Sequence, residues 1–300
     1  MNIEILEQSR QNVVKKKKIG FGITAIVALL VLIFNYISTG FLEIKFLFIF
    51  GFVGYFLTSI FTMKCYRDFV KEYKRIVVLE IFKTMFQNIY FDLDNGIPEA
   101  TIAGTGMMDT GDIYNSNDYI SAQYKNVSFE FSDVEIEEEY RDSDGDTHRV
   151  TVFKGQWYIF DFNKQFKADL QVCEKGFRNA KLGNLFGTNK FNKVQLEDIE
   201  FNKEFNVFAQ NNLDAFYVLN PSTMEKIKEL NNKVNGKLLF CFINNKLHVG
   251  LHSGKDLFEP SLYKKIDIVQ NHKQALEEMK MITNFVDILG LDNDLFRREV

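Results

Sequence analysis

Two charge-free apolar runs near the amino terminus constrain this chain more than any other feature. Between Lys18 and Glu43 stand 24 residues without a charge, IGFGITAIVALLVLIFNYISTGFL, and between Lys45 and Lys64 stand 18 more, FLFIFGFVGYFLTSIFTM. At about 1.5 Å of rise per residue the first can cross a hydrocarbon core of about 30 Å. The second is at the short end of the range, but the lysines beside it can snorkel. A signal peptide would carry a shorter apolar region ending in a small-residue cleavage site, which the first run lacks. A buried core helix is the competing reading of the second.

Orientation follows from the flanks. Arg10 and Lys15 to Lys18 precede the first run, and Lys64, Arg67, Lys71, Lys74 and Arg75 follow the second, whereas the connection offers only Lys45 beside Glu43. Basic residues favour the inner side, so both termini are expected in the cytoplasm, joined by a short outer loop. Neither run carries a charge, so an ion path or proton relay formed by this chain alone is not expected.

From Tyr66 to Ile89 apolar residues recur near helical spacing at Phe69, Tyr73, Ile76, Val77, Phe82, Met85, Phe86 and Ile89, with no Pro or Gly to interrupt. The expected organisation is a basic segment at 1–18, a two-helix transmembrane hairpin at 19–63, a stalk helix at 64–91 and a cytoplasmic domain at 92–300. The stalk should end in FDLDNGIPEA, where Asn95-Gly96 and Pro98 break a helix.

Charge separates the two parts. Residues 1–90 hold 12 Lys+Arg against 6 Asp+Glu, while residues 91–300 hold 24 against 34. The acidic remainder is a poor match for nucleic acid, whose phosphates need a basic footprint, and should be repelled by anionic lipid. Three separated cysteines, Cys65, Cys173 and Cys241, in no C-x-x-C pair, indicate neither a disulfide framework nor a zinc knuckle.

Beyond the stalk, DYISAQY, VSFEFSDVEIEEEY, HRVTVFKGQWYIFDF and FKADLQV read as strands, with period-two alternation at Phe129, Phe131, Val134, Ile136 and at Val150, Val152. YRDSDGDTHRV lies between two of them. A calcium loop begun at Asp142 would need Gly sixth and Glu twelfth, places that hold Thr147 and Phe153, so Asp-Gly reads as a hairpin turn. The pentads FNKQF and FNKEF have unlike flanks: the first reads as a turn after a strand, and the second follows LEDIE, which reads as a short helix leading into NVFAQ. GNLFGTNK reads as a surface loop, and GTGMMDTG, without the Lys-Ser/Thr of a phosphate cradle, as a flexible one. NPSTMEKIKELNNK reads as a helix capped by Ser222 with Glu225 as box partner. LLFCFINNKLHVGLH reads as a hairpin through Asn244-Asn245, and residues Ala275 to Leu289 as an amphipathic helix. His248 and His252 would share a strand face, too few groups for a metal site. The expected fold is α+β: two transmembrane helices, then antiparallel strands with helices. No catalytic, cofactor-binding or metal-ligating residue is assigned, and no cofactor is expected.

The two spans and stalk, followed by VFKGQWYIFDFNKQFKADLQV, then VQLEDIEFNKEFNVFAQNNLDAFYVLNPSTMEKI, and a strand pair ending near DLFEP, resemble the bacterial membrane-protein family named domain of unknown function 3137. That resemblance implies no established activity; it implies a LemA-type membrane protein as a candidate partner. The functional expectation is a membrane-anchored protein whose cytoplasmic domain is an interaction or scaffold module, self-association being a further candidate. The alternatives are a membrane-bound hydrolase using Glu135, Glu137, Glu138, Glu139, Asp142 and Asp144, or a ligand-sensing module with an apolar pocket.

Overall fold

The computed structural model describes residues 3–41, 45–161, 169–177 and 191–292. The chain divides into two compact units, Met1–Ile81 with Phe258–Ala275, and Phe82–Leu257 with Leu276–Val300.

In the first unit, α1 (Ile3–Thr39) is one helix that takes in most of the expected basic segment as well as the first apolar run. Four consecutive lysines do not interrupt it, because lysine is a good helix former when its charge stays solvated. Leu6, Arg10 and Val13 are buried at spacings of four and three, one stripe of a helix. The second long helix, α2 (Lys45–Tyr73), continues through a π-helical turn, Lys74–Val78, into α3 (Leu79–Met85). Two helices are therefore long and apolar enough to cross a membrane, and only 6% and 17% of their apolar windows are buried. A core helix would be mostly buried. The two runs meet antiparallel through small residues: a Cβ on Gly20 would stand 2.4 Å from Thr58 Cγ2, and one on Gly54 1.9 Å from Thr24 Cγ2. Such residues let helix backbones approach closely. Phe21 stacks on Tyr55, and Lys16 Nζ donates to Cys65 Sγ at 2.9 Å, so the pairing continues past the apolar runs.

The stalk is shorter than its apolar spacing predicts. Helix ends at Met85, and β1 (Gln87–Asp92) occupies what was expected as its last turn. Ile89, Tyr90 and Phe91 are good strand formers, and pairing with a neighbouring strand outweighs a helical spacing that has no turns left to extend.

The second unit then runs α4 (Glu99–Ala103), β2 (Ile113–Tyr124), β3 (Val127–Arg141), β4 (Thr147–Asp161), β5 (Leu170–Glu174), β6 (Asn192–Val194), α5 (Ile199–Glu204), β7 (Phe205–Ala209), α6 (Asn212–Val218), α7 (Pro221–Lys233), β8 (Lys237–Ile243), β9 (Lys246–His252) and α8 (Ile268–Leu289), whose first eight residues are counted with the first unit. The described strands form one nine-stranded antiparallel sheet, ordered β1-β2-β3-β4-β9-β8-β5-β7-β6. The α+β expectation is thus met.

Alternation sorts the side chains to the two faces. Phe129, Phe131, Tyr158 and Phe160 line one face and pack against Phe82, Phe86 and Phe285. Each such ring contributes about 1.5–3 kcal/mol by leaving water. On the other, Trp157, Ile159, Cys173, Leu239 and Cys241 are covered by Ile97, Ile102, Met107 and Met108. The stretch GTGMMDTG, expected as a flexible loop, is therefore a packed lid whose two methionines fill the core. Asn220, two residues before the expected cap Ser222, caps α7: its side chain accepts from Thr223 N, and Pro221 takes the first helical position. The Asn244-Asn245 hairpin is present, with both residues at positive φ. The short helix expected at LEDIE starts only at Ile199, with Asp198 as its cap, so FNKE ends α5 and Phe205 opens β7. FNKQF and GNLFGTNK lie outside the described residues.

Candidate interaction surface

The acidic hairpin is built as a turn. Asp142 N donates to Asp146 O, Gly145 adopts a φ of 87° that favours glycine, and the Asp142 carboxylate accepts from the backbone N–H of Asp144 and of Asp146. His148 Nε2 lies 2.7 Å from the same carboxylate, and that hydrogen bond holds Asp142 below the usual range. Asp142 is thus a turn-former whose oxygens are already engaged.

The acids of β3 face bases on β4. Glu135 is directly opposite Lys154 and pairs with it at 2.8 Å; Glu139 is directly opposite Arg149 and pairs at 2.9 Å. Opposite charges across a ladder stabilise the pairing, which is what these carboxylates do. Glu137 and Glu138 lie across from Thr151 and Val150.

His248 and His252 stand on one face of β9 as expected, each engaged as an acceptor. Trp157 Nε1 donates to His248 Nδ1 at 3.3 Å, and Lys154 N donates to His252 Nδ1 at 3.0 Å. Burial pushes His248 down to about 4 and lowers His252 as well. Register places Cys241 opposite His248, a neighbour invisible in the sequence, but its Sγ points to Thr105 O at 3.7 Å. Among the described residues no three of His, Cys, Asp and Glu gather as a metal site would need. A second polar set, buried Asp133 and Gln156 with half-buried Ser253, fastens β3 and β4 to the turn after β9: Gln156 Nε2 donates to Asp133 Oδ1 at 2.9 Å, and Leu257 N donates to Asp133 Oδ2 at 3.0 Å.

In the first unit the polar groups tie segments together. Arg10 donates to both Glu7 carboxylate oxygens and to Leu262 O, Ile266 N donates to Glu7 Oε2, and Lys74 of the π-helical turn pairs with Glu259 at 2.6 Å. The Arg10 hydrogen bond draws Glu7 down to about 2.

What these engaged groups leave is an apolar surface. In α6, Ala215 and Val218 are buried as the helix packs beside β6 and β7, while Leu213, Phe216 and Tyr217 point outward at 75%, 43% and 64% exposure. Spacings of three and four put them on one side of the helix. Asn211 starts the helix by accepting from Leu213 N, fixing where that side points. Aromatic and leucine side chains grouped in water are the usual centre of a protein contact. Sequence reading missed this face because DAFYVL has the apolar content of a core segment, and only the packing shows which side is left over.

Residues 151–291 match the model of the family described as "Protein of unknown function (DUF3137)", in keeping with the sequence resemblance, and they include both the histidine strand and α6. No curated protein matches the chain. One similar solved structure is the crystal structure of the mycobacterial trehalose monomycolate transport factor A, TtfA, with a TM-score of 0.43 and 9% identity over 74% of this chain and 94% of that one.

Proposed function

We propose that this protein is a membrane-anchored interaction module of a bacterial plasma membrane, with both termini in the cytoplasm, which holds its sheet domain at the membrane to engage another membrane protein. The observation that carries this is the outward face of α6, Leu213, Phe216 and Tyr217, on a domain in which Glu135, Glu139, Asp142, His248 and His252 already have partners within the fold. Two apolar helices supply the anchor, and the basic flanks supply the orientation. Confinement to one surface raises the effective concentration of any partner in the same bilayer, so a modest contact patch suffices. A LemA-type membrane protein is the partner the family resemblance puts first; a second copy of this chain is the next.

The test is chemical crosslinking of the full chain in native membranes, comparing wild type with Leu213→Ser/Tyr217→Ser. A discrete adduct present in the first and lost in the second supports the reading. Equal adducts in both remove α6 from it. Turnover of a small molecule that Glu135→Gln abolishes without unfolding would put the hydrolase alternative ahead.

A further inference from the structure

The two apolar helices enclose a groove of about 680 Å³ that no part of the proposed interaction uses. Its floor is where Gly20 meets Thr58 and Thr24 meets Gly54, and Val53 is part of its apolar wall. That volume is within the ~300–1,000 Å³ typical of small-ligand sites. Lys16 lines the cytoplasmic end, the one charge on an otherwise uncharged lining.

Charge says what can fill it. Lys15, Lys16, Lys17 and Lys18 on α1 and Lys64 and Arg67 on α2 gather where the helices pair, as the contacts of Lys16 with Cys65 and of Lys17 with the Tyr66 ring show. None of these six cations has a carboxylate partner among the described residues, nor do Asp68 and Glu72 on the same helix pair with them. Of these six only Lys16 lines the groove, and the others make the same end of the helix pair positive, which attracts an anion to it. A headgroup phosphate supplies that anion while its acyl chain lies along Val53 and Gly54, a pairing of charge with apolar surface that neither a free anion nor a neutral lipid satisfies. Orientation of the helices requires only that cations be present; a groove capped by one of them is an additional feature.

We infer that the helix pair is a binding site for an anionic phospholipid, its phosphate held at Lys16 and its acyl chain in the groove. This rests on the reading of the two helices as membrane spans. The experiment is native mass spectrometry of the full chain, extracted from membranes in mild detergent and supplied with equal phosphatidylglycerol and phosphatidylcholine, for wild type, Lys16→Gln and Val53→Trp. Phosphatidylglycerol should be retained about fivefold over phosphatidylcholine, and Lys16→Gln should remove most of that preference. Val53→Trp should lower retention of both by filling the groove. Inorganic phosphate in excess should not displace the lipid. Equal retention of the two lipids, preference unchanged in Lys16→Gln, or displacement by phosphate would each overturn the inference. Release of the whole chain into the soluble fraction at alkaline carbonate would instead overturn the membrane reading beneath it.

Discussion

Arg10 Nη1 donates to the carbonyl oxygen of Leu262 at 2.6 Å, joining points 252 residues apart. The same guanidinium holds Glu7, and Glu7 in turn accepts from Ile266 N, so one buried arginine anchors the segment that follows the sheet. Arg10→Gln should cost ~2 kcal/mol, the scale of lost hydrogen bonds to a charged group. Thermal unfolding of the full chain in detergent at neutral pH reads this, and an unchanged transition would show that the junction is dispensable.

The junction also has a pH signature. Hydrogen bonding to Arg10 lowers Glu7 from 4.5 to about 2, so its contribution is complete above the unfolded-state value and is lost as pH falls from about 4.5 toward about 2. Pepsin cleavage within residues 258–267, normalised to an unfolded peptide at each pH, should rise across that window in the wild type. In Glu7→Gln the rise should be absent. A rise of equal size in both would assign it to another group.

Trp157 needs Gly250. A Cβ there would stand 2.7 Å from Cζ3 of the indole, a rigid ring that cannot swing aside. Gly250→Ala should destabilise by ~2 kcal/mol, the scale of overpacking a close-packed core. Denaturant unfolding followed by the fluorescence of the chain's single tryptophan measures it, and no shift in midpoint would mean the strands can part without cost.

Two of the three thiols should be inert. Burial pushes Cys173 up to about 12 and raises Cys241 too, so neither forms thiolate at neutral pH. Maleimide should label Cys65, which is half-buried, and should reach the other two only in denaturant. Labelling of Cys241 in the folded chain would indicate a path to the core beneath Met107.

At the hairpin the roles of the aspartates separate. Asp144→Asn should leave the turn intact, whereas Asp142→Ala removes the acceptor of two backbone N–H groups and the His148 contact, and should loosen it. Amide exchange at Asp144 and Asp146 reports the difference. Calcium titration of the full chain by calorimetry should be flat; a saturable heat lost in Asp142→Ala would contradict the turn assignment.

How far the sequence carried this picture depended on the range of the interactions involved. Charge-free runs, Asp-Gly and Asn-Asn turns and period-two strands are local, and all were legible. The pairing of β4 with β9 was not, because β5 to β8 intervene in the chain but not at that place in the sheet. Local pattern misled at two places: the helical spacing that ran to Ile89 gave way to strand pairing, and the glycines around Met107 and Met108 hid two core side chains. The α6 face was hidden for the same reason, since Leu213 and Val218 look alike until one is packed.

Membrane-tethered contact through α6 is the central claim, and site-specific photocrosslinking in intact membranes tests it most directly. A photoreactive residue replacing Tyr217 should yield one discrete adduct with a membrane protein, while the same residue replacing Tyr140, which is 52% exposed near the tip of the β3-β4 hairpin, should yield none. Equal trapping from both positions, or none from Tyr217, would contradict the claim.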